Sequence, residues 1–361
     1  MFKKKSQKTF VFVSVTLAIL VFATSTQAEV KKLKMATATP EKSSVSPLIA
    51  KMAKAMGEYS DGAVEVKVYW AGEIAQVKDL PELCRRGSID MMIVPPVHFP
   101  SMFPLNSVVQ MYPMLLPSPD EAAYIWRGLL RDIPEVQEEL AKQNQYCLNR
   151  MTLSNYLTLS KKPIRGMEDF KGLKVRGMAG KYFSQIMVNV GATNLSFPMP
   201  EIYEAFMRGA VDAVMLIPQD FLAMKYYEIG KYVSLSVGSI IALACHINLD
   251  TWKNLSPKGQ QAILKAATEW GANDLENQLT SFDESVKELK SKGVEFIEFN
   301  KKDWEQMLAD AGNPWAAAKA TLTDDLKVPA PVAEKFMSRW RELHEEYQNN
   351  YVSTGKKWIY E

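Results

Sequence analysis

The chain predicts an α/β protein built as two similar lobes, and three stretches predict it. In the first, Leu173-Lys174-Val175-Arg176 reads as a short strand that runs through the turn Gly177-Met178-Ala179-Gly180 into apolar helical spacing at Tyr182, Phe183, Ile186, Met187 and Val190. A second strand pattern, Ala192–Phe197, completes a βαβ unit. In the second stretch, Lys32–Ala38 reads as a strand. Ser46-Pro47 then opens a helix with apolar Leu48, Ile49, Met52, Ala53 and Met56, and Val64–Tyr69 reads as a strand after the turn Ser60-Asp61-Gly62. Units of this kind imply a largely parallel sheet. The third observation is an echo: Glu82, Gly87 and Asp90, leading into an apolar strand, recur at identical spacing as Glu204, Gly209 and Asp212. Glycine supplies the left-handed helix end, and aspartate bonds nearby backbone before the strand.

Arg176 falls at the C-terminal end of its predicted strand, and ligands of open α/β sheets bind in the crevice outside such ends. A guanidinium is always charged and offers a planar fork matching a carboxylate. From position alone, Arg176 is either a salt-bridge arginine on the surface or a ligand arginine.

At 361 residues, 47% hydrophobic and 23% charged, the chain has globular composition and length for two lobes with their own cores. Its N-terminus differs: Lys3, Lys4, Lys5 and Lys8 precede an apolar run from about Thr9 to Ala23, closed by Thr26-Gln27-Ala28. That is the order of a secretory signal, with cleavage expected after Ala28. Removing residues 1–28 takes away four lysines and no acid, leaving 39 basic against 41 acidic residues. Nothing in that balance asks for nucleic acid or an anionic membrane. Cys84, Cys147 and Cys245 are odd in number and widely spaced, so they form neither a disulfide framework nor a zinc pattern. One bridge or three buried thiols are the alternatives.

Further along, Pro95–Pro119 interleaves proline with methionine and aromatics and reads as rigid loop that can wall a pocket. Helical spacing returns at Asp120–Trp126 and Glu135–Ala141, before a strand region from Tyr146 to Ser160. A helix pattern through Phe221, Met224, Tyr227 and Ile229 leads to a strand at Ser239–Asn248. Ser256-Pro257 then caps a helical run to about Lys292, long enough to lie across both lobes. A strand at Val294–Phe299 and amphipathic helices at Asp303–Leu308 and Val332–Tyr347 close the chain.

No nucleophile elbow, paired-histidine zinc motif, P-loop or dinucleotide fingerprint occurs. Of the three histidines, His344 lies in a charged helix and reads as solvated, and His246 in an apolar strand reads as core. His98, in the proline-rich loop, is the pocket candidate. No cofactor or metal is implied, and the balance favours binding over catalysis.

The signal, the doubled corner and the run Lys161–Arg176, with its string Asp169-Phe170-Lys171-Gly172-Leu173-Lys174-Val175-Arg176, resemble one family. It is the DctP-type solute-binding subunits of tripartite ATP-independent periplasmic (TRAP) transporters. The match extends through Gly62, Gly87–Asp90, Gly191-Ala192, Glu201-Ile202-Tyr203 and Gly209–Asp212. The resemblance implies a two-lobe periplasmic binding protein with a hinged cleft and a long bridging helix. Lobe 1 would comprise 29–153 plus about 242–281, and lobe 2 would comprise 154–241 plus about 282–361 with the C-terminal helices. It also implies a non-enzymatic, periplasmic protein that delivers a small organic acid to small and large membrane subunits, as a monomer or alternatively a dimer. Arg176 is then the carboxylate-binding arginine.

Departures from the sialic-acid-binding members carry the ligand expectation. Tyr156 stands where those members have a second arginine, and Leu216, within Met215-Leu216-Ile217, stands where they have asparagine. Met199 replaces their aromatic platform, and Pro95 an acidic residue. Polar partners give way to apolar or aromatic ones, so a monocarboxylate with an apolar or aromatic body is expected, its affinity coming from buried apolar area at about 25 cal/mol per Å². Thr37, Trp70, His98, Asn155 and Gln219 complete the candidate cleft residues. The rivals are a ligand-presenting subunit for a sensor kinase or chemoreceptor, and a secreted enzyme using His98 or Cys147.

Overall fold

The computed structural model describes residues 30–112, 115–272 and 275–353; the leader read at residues 1–28 lies outside them, as do Pro113 and Met114. The strands are β1 (Lys31–Thr37), β2 (Val64–Tyr69), β3 (Met91–Val94), β4 (Gln145–Thr152), β5 (Tyr156–Ser160), β6 (Lys174–Arg176), β7 (Thr193–Leu195), β8 (Ala213–Leu216), β9 (Tyr232–Ser239), β10 (Ala242–Asn248) and β11 (Glu295–Ile297). They form a five-stranded sheet, β2-β1-β3-β10-β4, and a six-stranded sheet, β11-β9-β5-β8-β6-β7.

Both sheets are mixed, which corrects the largely parallel expectation. The β1–β2, β1–β3, β6–β7 and β6–β8 pairs are parallel, as the βαβ patterns require. In the first sheet β10 runs antiparallel to β3 and β4, and in the second β5 runs antiparallel to β8 and β9. The region Tyr146–Ser160 is two strands, one in each sheet, and the chain returns between β9 and β10. The two crossings lie side by side, the Leu153 N–H donating to the Ile241 carbonyl at 2.9 Å. Strand β9 begins at Tyr232, well before the strand expected from Ser239. The preceding helix stops at Ala223, and Lys225 turns left-handed at φ 59°.

The repeated corner is one device used twice. Gly87 (φ 72°) and Gly209 (φ 77°) end the helices Leu80–Arg85 and Ile202–Met207 in the left-handed region, where a side chain is disfavoured. Asp90 accepts the Lys34 N–H at 2.8 Å, and Asp212 accepts the Lys174 N–H at 2.9 Å. Each aspartate therefore starts its strand by gripping the neighbouring parallel strand. The bond is to a distant segment, not to the nearby backbone expected for such an aspartate.

The proline-rich segment is not all loop: Pro104–Met111 is a helix with proline in its first turn, where the missing N–H costs nothing. The helix Ser46–Tyr59 buries Leu48, Ile49, Met52, Ala53 and Met56 as spaced. The expected helical run is described as Pro257–Ala267, Thr268–Ala272 and Leu275–Ser291, residues 273 and 274 lying outside the described residues. Ser256 caps its start, its side chain accepting from the Gly259 N–H at 3.1 Å. That run packs on Ser46–Tyr59 through Pro257–Ala267 and on the helix Pro218–Ala223 through Leu275–Ser291, touching both sheets' layers. The closing helices divide: Lys301–Ala311 packs on Lys181–Asn189, whereas Ala330–Tyr347 packs on Pro119–Asp132 beside β4.

After Arg176 the chain turns with no room to spare. A Cβ at Gly177 would lie 2.6 Å from Asn194 Oδ1 and closer still to the Phe183 ring. Asn194 pins this turn by accepting from the Gly177 N–H (3.2 Å) and donating to the Met178 carbonyl (2.9 Å). Gly177→Ala is predicted to cost about 1–3 kcal/mol by overpacking. The check is the urea midpoint at unchanged slope; an unshifted midpoint contradicts the crowding.

Candidate functional site

The strand ends of both sheets meet at one cavity of about 180 Å³. Thr37 closes β1, Pro95 follows β3, Arg176 closes β6, and Ser196, Phe197 and Pro198 follow β7; all of them line it. The two crossings contribute Leu153 and Ile241. Most of the remaining wall is apolar: Val45, Val77, Ile93, Val97, Met178, Met199 and Leu243.

Arg176 is placed by its neighbours in sequence. Val175 anchors β6 in the core at 0% exposure, and alternation then turns Arg176 away from that core to the cavity side. Its Nη1 and Nη2 donate to the carbonyls of Met215 (3.4 Å) and Phe197 (3.3 Å), and its buried Nε has no partner among the described residues. Burial pulls its pKa below the ordinary arginine value, while Tyr156 and Tyr226 pull the other way. The guanidinium stays protonated at neutral pH. No carboxylate acts on it among the described residues, so the charge is unspent.

Tyr156, the first residue of β5, lies within the field of Arg176 and of Asp220, and burial raises its pKa. Asp220, 3% exposed, sits in the helix Pro218–Ala223 and also lines the cavity. Its Oδ1 accepts from Ser43 Oγ, Ser44 N–H and Ser44 Oγ, each at 2.9 Å. Burial pushes its pKa up, and those donors pull it down.

His98 follows β3, is exposed, and lines the cavity. Desolvation first, and the Arg176 charge second, lower its pKa to about 4, so the imidazole is neutral at pH 7.

Of the expected residues, the cavity brings together Thr37, Pro95, His98, Tyr156, Arg176 and Met199. The others stand apart from it. Leu216 is 0% exposed in the second core, and Met215 offers its carbonyl, not its side chain, to Arg176. Gln219 accepts from Ser154 Oγ at 2.8 Å and donates to the Gln278 carbonyl at 3.0 Å, bracing a crossing against the long helix. Asn155 lies in that crossing with a buried Oδ1 lacking a partner among the described residues, and Trp70 packs against the first core. The sequence reading missed Asp220. The available signal was an acid in the apolar context Ile217-Pro218-Gln219-Asp220-Phe221, next to the glutamine chosen instead.

The other chemistry candidates are structural. Cys84, Cys147 and Cys245 are buried and unbridged. The Cys147 thiol donates to the Asn149 carbonyl at 3.3 Å, and burial raises its pKa, leaving it inert as a nucleophile. His246 is core, with Nδ1 on Gln145 Oε1 at 3.0 Å. His344 is not simply solvated: it hydrogen-bonds Glu121, itself 1% exposed, and that bond raises its pKa. Among the described residues no group of three His, Cys, Asp or Glu is arranged to hold a metal.

Two α/β lobes joined by paired crossings, with a charged apolar cavity at the facing strand ends, define a two-lobe solute-binding protein. Residues 35–320 match the DctP family, bacterial extracellular solute-binding protein, family 7, and the chain belongs to that family. It is a TRAP-type solute-binding protein and not an enzyme. A solute-binding protein of Chromohalobacter salexigens is 26% identical over 255 residues, covering 69% of this chain and 74% of its own. The monocarboxylate 2-oxoacid-binding periplasmic protein of Nostoc sp. is 24% identical over 283 residues, 74% of each chain. In structure, the Bordetella pertussis extracytoplasmic solute receptor DctP6, which binds pyroglutamic acid, matches at TM-score 0.76 and 18% identity, over 86% of this chain and 100% of its own.

The lowered pKa of His98 carries a pH prediction. Folded His98 titrates near 4 and the unfolded residue near 6.5, so as pH falls the unfolded chain takes up the proton first. Its contribution to stability is whole above about pH 6.5 and is lost on descending towards 4. In an NMR titration, Arg176→Met is expected to raise the His98 midpoint part of the way towards 6.5, since desolvation remains. An unmoved midpoint contradicts the coupling.

Proposed function

We propose that this protein captures a small monocarboxylate with an apolar or aromatic body between its lobes and delivers it to the membrane subunits of a TRAP transporter. The observation that carries the reading is the guanidinium of Arg176, without a salt-bridge partner among the described residues and held by two carbonyls at the edge of a mostly apolar cavity. A carboxylate there would replace long carbonyl contacts with a charge-assisted bidentate pair. The body would meet Val45, Ile93, Met178, Phe197 and Leu243, where desolvation supplies affinity. The 2-oxoacid specificity in the name of the Nostoc relative and the pyroglutamic acid of the Bordetella receptor support the monocarboxylate part of this reading; the apolar body rests on the cavity wall.

The physical cycle needs no chemistry on the ligand. Lobe 1 is taken as 29–153 with about 242–281, and the second lobe as 154–241 with most of the remainder, the crossings at Leu153 and Ile241 serving as hinge. An acid that touches both lobes binds the closed form more tightly than the open one, and that differential drives closure. Export through a cleaved leader would place the protein in the periplasm.

Arg176→Met is predicted to weaken binding of the co-purified acid by about 2–5 kcal/mol, roughly thirtyfold to several thousandfold, since the carboxylate would be left unpaired. Arg176→Lys is expected to recover only part, a point charge replacing the fork. Calorimetry with the acid recovered by mass spectrometry reads both; parental affinity in Arg176→Met would overturn the proposal.

A further inference from the structure

Arg176 shares the cavity with an acid, Asp220, that has no counterpart in the reading above. Asp220 is almost fully buried and belongs to the lobe of Arg176, yet its Oδ1 is held entirely by the other lobe, through Ser43 and Ser44. Three donors on one oxygen fix the carboxylate plane. Oδ2 takes no hydrogen bond among the described residues, on a side chain that lines the cavity. Carboxylate oxygens each accept about two bonds, so Oδ2 keeps acceptor capacity for a group that enters the cavity. Tyr156 lies in the field of both Asp220 and Arg176, and its hydroxyl is likewise without a partner among the described residues. The cavity thus carries a positive fork, a neutral hydroxyl and an acceptor side by side.

We infer that Asp220 is a second recognition point, which accepts a hydrogen bond from a hydroxyl or other donor group on the bound acid and excludes acids carrying a second carboxylate. This rests on the monocarboxylate reading and sharpens it: the ligand class becomes an apolar-bodied monocarboxylate with one donor away from its carboxylate. A diacid seated on Arg176 would bring its second charge against the Asp220 carboxylate, so rejection comes from like-charge contact and selection from the filled acceptor. The bonds to Ser43 and Ser44 give the same residue a part in closure, because Oδ2 is aimed only while the lobes are together.

The test uses two matched series at pH 7.5, measured by calorimetry: hexanoate, 6-hydroxyhexanoate and adipate, and phenylacetate, 4-hydroxyphenylacetate and 4-carboxyphenylacetate. In the parent protein the hydroxy acid is expected to bind at least tenfold more tightly than the diacid in whichever series fits. Asp220→Asn keeps an oxygen for the serine donors and turns the second position into a donor, so that ratio should shrink at least tenfold. Ser43→Ala/Ser44→Ala loosens the clasp without altering Oδ2 and should lower all three affinities together, with the ratio kept. A ratio unchanged in Asp220→Asn, or a parent protein that binds the diacid as well as the hydroxy acid, overturns the inference while leaving the Arg176 reading intact. Failure of every monoacid to bind the parent overturns the reading beneath it as well.

Discussion

A half-buried positive charge with no salt-bridge partner among the described residues is the constraint around which this structure is arranged. Desolvating a guanidinium is expensive, and the chain meets that cost only in part, with two long bonds to the carbonyls of Met215 and Phe197. The rest is left to an incoming anion. Every element near the site follows from holding that fork still. Val175 anchors β6 in the core, Gly177 gives way to the Phe183 ring, and Asn194 ties the turn behind it. Neutral neighbours serve the same end. His98, an exposed residue on the cavity, is kept uncharged by desolvation and by Arg176 itself, so the cavity holds one cation and not two.

The scaffold gives this charge a partner surface that can move. Each lobe starts a strand by the same corner, with Asp90 gripping Lys34 and Asp212 gripping Lys174, so two sheets present their strand ends to a shared space. The lobes are joined by adjacent crossings that share a bond between Leu153 and Ile241. Across the gap Asp220 bonds Ser43 and Ser44, the Tyr112 and Tyr182 rings meet at 4.8 Å, and one apolar cluster runs from Met111 and Met151 to Met178 and Phe183. The long helical run leans on both lobes, through Ser46–Tyr59 and Pro218–Ala223, and limits how far they part.

Much of this was legible because it is local. The corners announce themselves through a glycine that must turn left-handed and an aspartate that must bond backbone. The strand ending at Arg176 reads from its flanking glycines, and the amphipathic helix after Ser46 from its spacing. What was illegible is long-range or orientational. No sequence pattern names Lys34 and Lys174 as the partners of the corner aspartates. The switch of sheet between β4 and β5 leaves no mark, because Tyr146–Ser160 has strand character throughout. Pro104 at a helix start looks the same as proline in a loop. Around Pro218 the reading chose Gln219 over Asp220, neighbours about 100° apart on a helix, and only the rotation of that short helix decides between them. Met215 serves through its carbonyl, a role that side-chain identity does not encode.

The most direct measurement is the crystal structure of the protein with the acid it carries when purified natively. The account predicts a closed cleft with the ligand carboxylate paired to both terminal nitrogens of Arg176 and its body against Ile93, Met178 and Leu243. A ligand whose carboxylate sits away from Arg176, or whose body leaves that apolar wall empty, would contradict it.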